Sequence, residues 1–572
     1  MLRITEISES ADSVTLRVEG RIVSEWVTVL EQECLKWLRA KPEVLLDFSE
    51  VTFIDHNGVA MLKRIASANL RLINCPALID EMLNGNNNQE ESLDPEDWQA
   101  MRMLGHRMID DMMNYLETIR ERPVWQPVPQ AVRAHLKAPL PTEPQGAESA
   151  YQDFLQNVLP HPLGNIHPRF WGWVCGTGTP FGMLVEMLKA AMNSTIFGCD
   201  QVPLHVETQV LDWCKEMLGY PAEASGLLVS GATMANLIGL TVARNAGADF
   251  NVARKGLQAS PRQMTLYGSA EMHSSIQKSA ELLGLGSEAI RKIPANADYQ
   301  IDLVRLKHAI AKDRAEGYQP VCIVGNAGTV NTGAFDDLNA LADLSKSEGL
   351  WFHIDGAFGA LAALSPKLRP LVAGMERADS LAFDLHKWLY MPYGVGCILI
   401  RHPQKHHETF STSGAYLSHT QRGLSSGPVW YSEYGVELSR SFRALKVWMS
   451  LKEHGLEKYR RLIEQNVEQA RFLASHIEAA PELELLAPAP LNLVCFRFTH
   501  ENLRNEQLNA LNQELLIQLH ESGIAVPSST ILNGKFALRV AITNHRSRRE
   551  DFEILVRTVI SLGKKLMMEL GF

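Results

Sequence analysis

Between about residues 150 and 455, short uninterrupted apolar runs alternate with helix-length segments, and this alternation limits the fold more than any other feature of the chain. Gly226-Leu227-Leu228-Val229, Val321-Cys322-Ile323-Val324 and Leu350-Trp351-Phe352-His353-Ile354 show almost no polar interruption. Strands of that kind are covered on both faces. Segments 235–245 and 338–349 between them have helical length. Strand–helix–strand order with doubly covered strands predicts an α/β domain with a mainly parallel sheet. From about residue 456 the pattern changes. A long helix over 456–479, strands near 493–496 and 536–540, and a closing helix over 549–570 predict a separate α+β cap spanning 456–572.

The first 84 residues read as a small α/β unit of their own. Val14, Leu16 and Val18 alternate with polar residues, as in a half-buried strand, whereas Trp26, Leu30, Cys34, Leu35 and Leu38 follow helical spacing. Val44-Leu45-Leu46-Asp47-Phe48 predicts a second strand, and residues 51–59 a short third strand running into a turn and helix. The Gly/Asn-rich stretch 85–92 is a linker. After it, Asp94 and Pro95 are expected to cap and open a helix whose stripe is Met101, Leu104, Met108, Met112, Tyr115 and Ile119. A proline-rich arm over 123–144 follows. A helix and arm over 93–149 cannot bury that stripe alone, so they should clasp another body such as a second subunit.

At 572 residues the chain needs two or three domains. A formal net charge of −10, with no dense Lys/Arg run, argues against nucleic acid or an anionic membrane as partner. The eight cysteines are scattered without a CxxC pair, which predicts free thiols in a reducing compartment and no structural zinc. The opening residues carry no apolar leader and no run is long enough to span a bilayer, so a cytoplasmic protein is expected.

Chemistry concentrates in four segments. In Ala382-Phe383-Asp384-Leu385-His386-Lys387-Trp388-Leu389-Tyr390 a lysine follows a histidine at a strand end. Such an amine can form a Schiff base with an aldehyde cofactor, which points to pyridoxal phosphate (PLP). That cofactor needs an acid for its ring nitrogen and a cradle for its phosphate. Asp355, closing the apolar strand Phe352-His353-Ile354, can supply the acid, with small Ala357 and Gly359 leaving room for a flat ring. Ser230-Gly231-Ala232-Thr233 joins a strand to a helix, a ready anion site. His273 stands at another strand–helix junction. Taken singly, each reads as readily as a surface lysine, a helix cap, an ordinary turn or a structural histidine.

Together and in this order, the four segments resemble the group II PLP-dependent amino-acid decarboxylases, which have the aspartate-aminotransferase-like fold (fold type I). The resemblance runs from about residue 93 to 572. It implies that Lys387 carries the cofactor, Asp355 pairs with the ring nitrogen, Ala357 packs beneath the ring and His273 stacks above it. Ala232, Thr233 and His386 would bind the phosphate, with Thr329 near the cofactor. Asp384 stands where several members have Asn, and an acid there is repelled by phosphate unless it points elsewhere. Residues 411–417 match the family's catalytic loop, whose proton-donating tyrosine falls at Tyr416. Members that oxidatively deaminate to aldehydes typically carry Phe there, so Tyr416 favours simple decarboxylation, with aldehyde synthesis as the runner-up. The loop covers the other subunit's site in the family, which implies a homodimer with shared active sites. Trp173 and Phe197 match the side-chain pocket of aromatic-amino-acid members, while His167 and Arg169 leave an acidic substrate open.

Residues 1–84 resemble the STAS domain through Asp47-Phe48-Ser49 and Asp55-His56-Asn57-Gly58. That family has a phosphorylatable serine before the glycine; Asn57 has no hydroxyl to modify. The unit is expected to be either a partner-binding module or a structural appendage. A regulatory binder with an inactive enzyme body is the remaining alternative.

Overall fold

The structure, a computed structural model, describes residues 2–84, 92–412, 420–427 and 429–569. Residues 85–91 of the expected linker lie outside this set, as does Tyr416. The chain divides into two compact units, Met1–Arg102 and Met103–Phe572.

The first unit has a four-stranded sheet in the order β1 (Leu2–Glu9), β2 (Ser13–Ile22), β3 (Glu43–Ile54), β4 (Leu70–Ile73). The first pair is antiparallel and the other two are parallel. Val14, Leu16 and Val18 meet Val44, Leu46, Phe48 and the helix residues Leu30 and Cys34 in its core. The two strands expected at 44–48 and from 51 onward are one strand. Its pairing with β2 shifts register at Arg17/Glu19 and Gly20/Arg21, which absorbs the interruption without ending the ladder. Both acidic signatures serve local structure. Asp47 accepts from Ser49 N at 3.0 Å and Asn74 Nδ2 at 3.1 Å. Asp55 caps the helix His56–Ile65 by accepting from Gly58 N at 2.8 Å. A side chain at Gly58 would stand 2.7 Å from Ile54 Cγ1, which accounts for the glycine.

The helix Trp98–Glu117 crosses the division between the units. Asp97, not Asp94, caps it, with Oδ1 accepting from Gln99 N at 2.8 Å and Ala100 N at 3.0 Å. A cap must reach the second and third helical N–H groups, and only the acid adjoining Trp98 does so. None of the helix's twenty residues is buried, and Met101, Met103 and Met108 are exposed.

In the second unit a seven-stranded sheet has the order β6 (Ser225–Val229), β12 (Gly396–Ile400), β11 (Ser380–Asp384), β10 (Trp351–Asp355), β9 (Gln319–Asn326), β7 (Met264–Ser269), β8 (Ile290–Ile293). All pairs are parallel except those of β12, which runs against both neighbours. β10 and β11 are buried at every position. This is the doubly covered α/β sheet expected, with one strand reversed. In parallel sheets a site forms beyond the carboxyl ends of the strands, where β6, β7, β10 and β11 deliver their following turns.

The cap has a five-stranded sheet in the order β13 (Leu483–Leu485), β14 (Leu493–Phe498), β16 (Lys535–Ala541), β15 (Val526–Leu532), β5 (Phe170–Trp171). β5 comes from far upstream and pairs in parallel with β15. All eight cysteines are free thiols. Among the described residues, no helix is long and apolar enough to cross a membrane.

Candidate active site

The turn after β6 leads through Ser230 and Gly231 into the helix Ala232–Gly247. The first N–H groups of a helix have no partner within it, and the dipole favours an anion there. A Cβ at Gly231 would lie 3.2 Å from His386 Cε1, so only glycine lets the turn approach that imidazole comfortably. His386 donates Nδ1–H to the Val395 carbonyl at 2.8 Å, and burial lowers its pKa.

Lys387 lies on the short helix Leu385–Trp388 that follows β11. Its Nζ is 3.0 Å from Asp384 Oδ2, the side chains being 21% and 3% exposed. Asp384 therefore does not turn away from the cradle. It lines the same cavity, and its Oδ1 is buried without a hydrogen-bond partner. Gly396 makes room for it, since a Cβ there would stand 2.6 Å from Asp384 Oδ1.

Asp355 ends β10, with Oδ1 accepting from Ala357 N at 3.1 Å and Oδ2 from Asn236 Nδ2 at 3.0 Å. His273 precedes the helix Ser274–Leu282 and accepts Ser275 N–H on Nδ1 at 3.1 Å. Burial lowers its pKa, opposed by the charge of Asp355. A cavity of about 320 Å³ brings together the 230–234 turn, His273, Asp355, Ala357, His386 and Lys387.

Other expected residues lie elsewhere. Thr329 is satisfied within its own turn: its Oγ1 accepts from Ala334 N at 3.0 Å. Phe197 packs edge-on against Trp430 at 5.6 Å, and Trp173, with φ of 53°, is 56% exposed. Neither lines the cavity. Arg169 gives Nε–H to the distant Ile524 carbonyl at 2.7 Å, and His167 Nδ1 accepts from Arg169 N at 3.0 Å, so both serve structural contacts. Asn236, Ser275 and His353 were not singled out from sequence. The one signal was the position of Asn236, three residues after Thr233 on the helix that opens the cradle.

A family model for the pyridoxal-dependent decarboxylase conserved domain matches residues 129–499. The chain belongs to this family. It is 32% identical over 472 residues to an aromatic-L-amino-acid decarboxylase of Bacillus atrophaeus, covering 82% of this chain and 96% of the relative. It is 28% identical over 484 residues to a phenylacetaldehyde synthase of Arabidopsis thaliana, covering 82% and 98%. A crystal structure of Oryza sativa TDC with PLP and tryptamine superposes with a TM-score of 0.77 at 25% identity, covering 83% of this chain and all of that one. The enzyme is thus a PLP-dependent amino-acid decarboxylase of fold type I.

The cavity suits PLP by its donor set: an amine, a carboxylate held by two N–H donors, an imidazole, a helix N-terminus and a small residue at Ala357. The buried Asp384 Oδ1 is the one feature that opposes a phosphate dianion.

A stability consequence arises beside the site. His353 is fully buried, and burial pushes its pKa from 6.5 to about 4. The unfolded chain takes up a proton below pH 6.5 while the folded one stays neutral to about pH 4, so stability falls as pH drops through that window. The group accounts for about 3 kcal/mol across it. Scanning calorimetry should show a falling Tm from pH 7 to 4.5, with a shallower slope in His353→Gln.

Proposed function

We propose that the enzyme converts an aromatic L-amino acid to its amine and CO₂ at the cavity around Lys387. The observation that carries this is the convergence of four distant segments, at 230–234, 273, 355–357 and 384–387, on one cavity. The aromatic preference rests on the activity for which the Bacillus atrophaeus relative is named and on tryptamine in the Oryza sativa complex. Trp173 and Phe197 do not line that cavity, so in this reading they would act as aromatic walls only for the part of the substrate side chain that extends beyond it.

Bound PLP supplies an electron sink for the charge left at Cα when CO₂ departs. The protein does the rest. Lys387, the amine on the cavity wall, would hold the cofactor through its Nζ. Asp355, with each oxygen tied to an N–H donor, would pair with the ring nitrogen and keep it protonated. His273 and Ala357, both on the cavity lining, would flank the ring. Backbone N–H groups of Ala232 and Thr233, with His386, would hold the phosphate, and Thr329, which does not line the cavity, would act only through its own turn. Tyr416 delivers the proton to Cα.

The exposed methionine stripe of Trp98–Glu117 supports a homodimer, in which the subunits share sites. The domain limits follow as 1–84 for a STAS-like unit with an unidentified partner, 85–92 for the linker, 93–149 for the arm, 150–455 for the cofactor domain and 456–572 for the cap. The eight free thiols support a cytoplasmic enzyme.

A panel of L-amino acids scored for CO₂ and amine tests the assignment. Release of CO₂ from acidic but not aromatic substrates sinks it. The similarity to a phenylacetaldehyde synthase keeps aldehyde formation as a second reading. Peroxide and aldehyde from the wild-type protein would favour that reading. If Tyr416 protonates Cα, Tyr416→Phe lowers amine output at least about tenfold and raises aldehyde and peroxide.

A further inference from the structure

Behind the cavity runs a continuous series of buried hydrogen bonds that joins Asp355 to His273. Asn236, fully buried, donates from Nδ2 to Asp355 Oδ2 and to Ser275 Oγ, each at 3.0 Å. Its Oδ1 lies 2.9 Å from His353 Nε2. His353 Nδ1 lies 2.8 Å from Ser380 Oγ, which receives the Trp351 indole N–H at 2.7 Å. At the other end Ser275 Oγ lies 2.8 Å from His273 Nδ1. Gly239, one turn along from Asn236, admits the His353 ring, because a Cβ there would sit 2.7 Å from His353 Cε1.

The direction of each bond follows from its neighbours. An indole N–H only donates, an amide oxygen only accepts, and an ionised carboxylate only accepts. Asp355 therefore draws the NH₂ side of Asn236, leaving the amide oxygen for His353, whose Nε2 must carry the proton. His353 is neutral, so Nδ1 accepts from the Ser380 hydroxyl, whose oxygen is already taken by Trp351. On the other branch, Ser275 Oγ accepts from Asn236 and donates its own O–H hydrogen bond to His273 Nδ1. That nitrogen also accepts the Ser275 backbone N–H. The proton of neutral His273 is thereby placed on Nε2.

We propose that Asn236 is a positioning residue for both flanks of the cofactor site, orienting the Asp355 carboxylate and, through Ser275, fixing His273 as the tautomer protonated on Nε2. The proposal rests on the reading of Asp355 and His273 as cofactor-flanking groups. A uniform apolar core would hold the backbone equally well but would leave the His273 tautomer to the Ser275 backbone N–H alone and the carboxylate without its second donor.

Neutron diffraction of the deuterated apoprotein reads the tautomer without the cofactor. Deuterium on Nε2 of both His273 and His353 is expected, and deuterium on Nδ1 of His273 overturns the proposal. Asn236→Asp supplies the second readout. The near-isosteric acid sets two carboxylates about 3 Å apart, so they share a proton and Asp355 is no longer fully charged. The apoprotein's affinity for PLP and kcat should each fall at least about tenfold, with KM within about twofold and a shifted pH profile for kcat. His353→Gln, which keeps an N–H donor, should retain more kcat than His353→Leu at equal thermal midpoint. A folded Asn236→Asp enzyme with unchanged PLP affinity, kcat and pH profile also overturns the proposal. Failure of wild-type apoprotein to bind PLP sinks the cofactor reading instead, and the neutron result still decides the hydrogen-bond series.

Discussion

Lys387→Ala removes the visible absorption of the PLP-loaded enzyme and lowers decarboxylation on the order of 10⁴-fold or more. The side chain at 387 is the amine that lines the cavity, and its Nζ is held 3.0 Å from Asp384 Oδ2. Alanine leaves no nucleophile to bind the aldehyde, and among the described residues lining the cavity there is no second amine to take over. Absorbance after gel filtration, together with CO₂ release at saturating cofactor, reads the result. A thermal midpoint near that of wild type shows that the variant is folded. Persistence of the visible band in a folded variant contradicts the role given to this lysine.

Asp355→Asn lowers kcat on the order of 10³-fold while PLP still binds. The substitution keeps the shape but removes the charge that holds the ring nitrogen protonated, so the ring becomes a poorer electron sink. It also disturbs the buried series, because Asn236 then faces an amide in place of a carboxylate. KM should change far less than kcat, since the loss falls on the transition state. Stopped-flow absorbance and single-turnover CO₂ release separate chemistry from cofactor loading. A loss below about tenfold with loaded cofactor would remove Asp355 from the proposed mechanism.

The readable parts of the fold were those governed by local rules. Apolar runs of strand length marked β6, β9 and β10 because a strand covered on both faces tolerates little polarity. Helix ends were less legible. Asp94 and Asp97 carry equal capping chemistry, and the choice of Asp97 depended on where Trp98 began the helix. The continuous β3 was also hidden, because the polar residues at its middle look like a break until β2 shifts register to meet them. Charge alone excludes Asp384 from a phosphate cradle unless it points elsewhere, yet it lines the cavity, where Gly396 leaves space and Lys387 supplies a counter-charge.

By itself the sequence determined which chemistry the chain can hold. Lysine, acid, imidazole and glycine-rich turn are each bound to a strand end by the residues beside them, and strand ends are set by short-range pattern. Only the tertiary structure decided which of these groups meet. It brought His353 on β10 against Asn236 on the helix after β6, and Ser380 on β11 against His353. It also placed β5 beside β15, across most of the length of the second unit. Contacts between residues far apart in the chain depend on sheet order and on the space left by glycines, and neither is encoded within any one stretch.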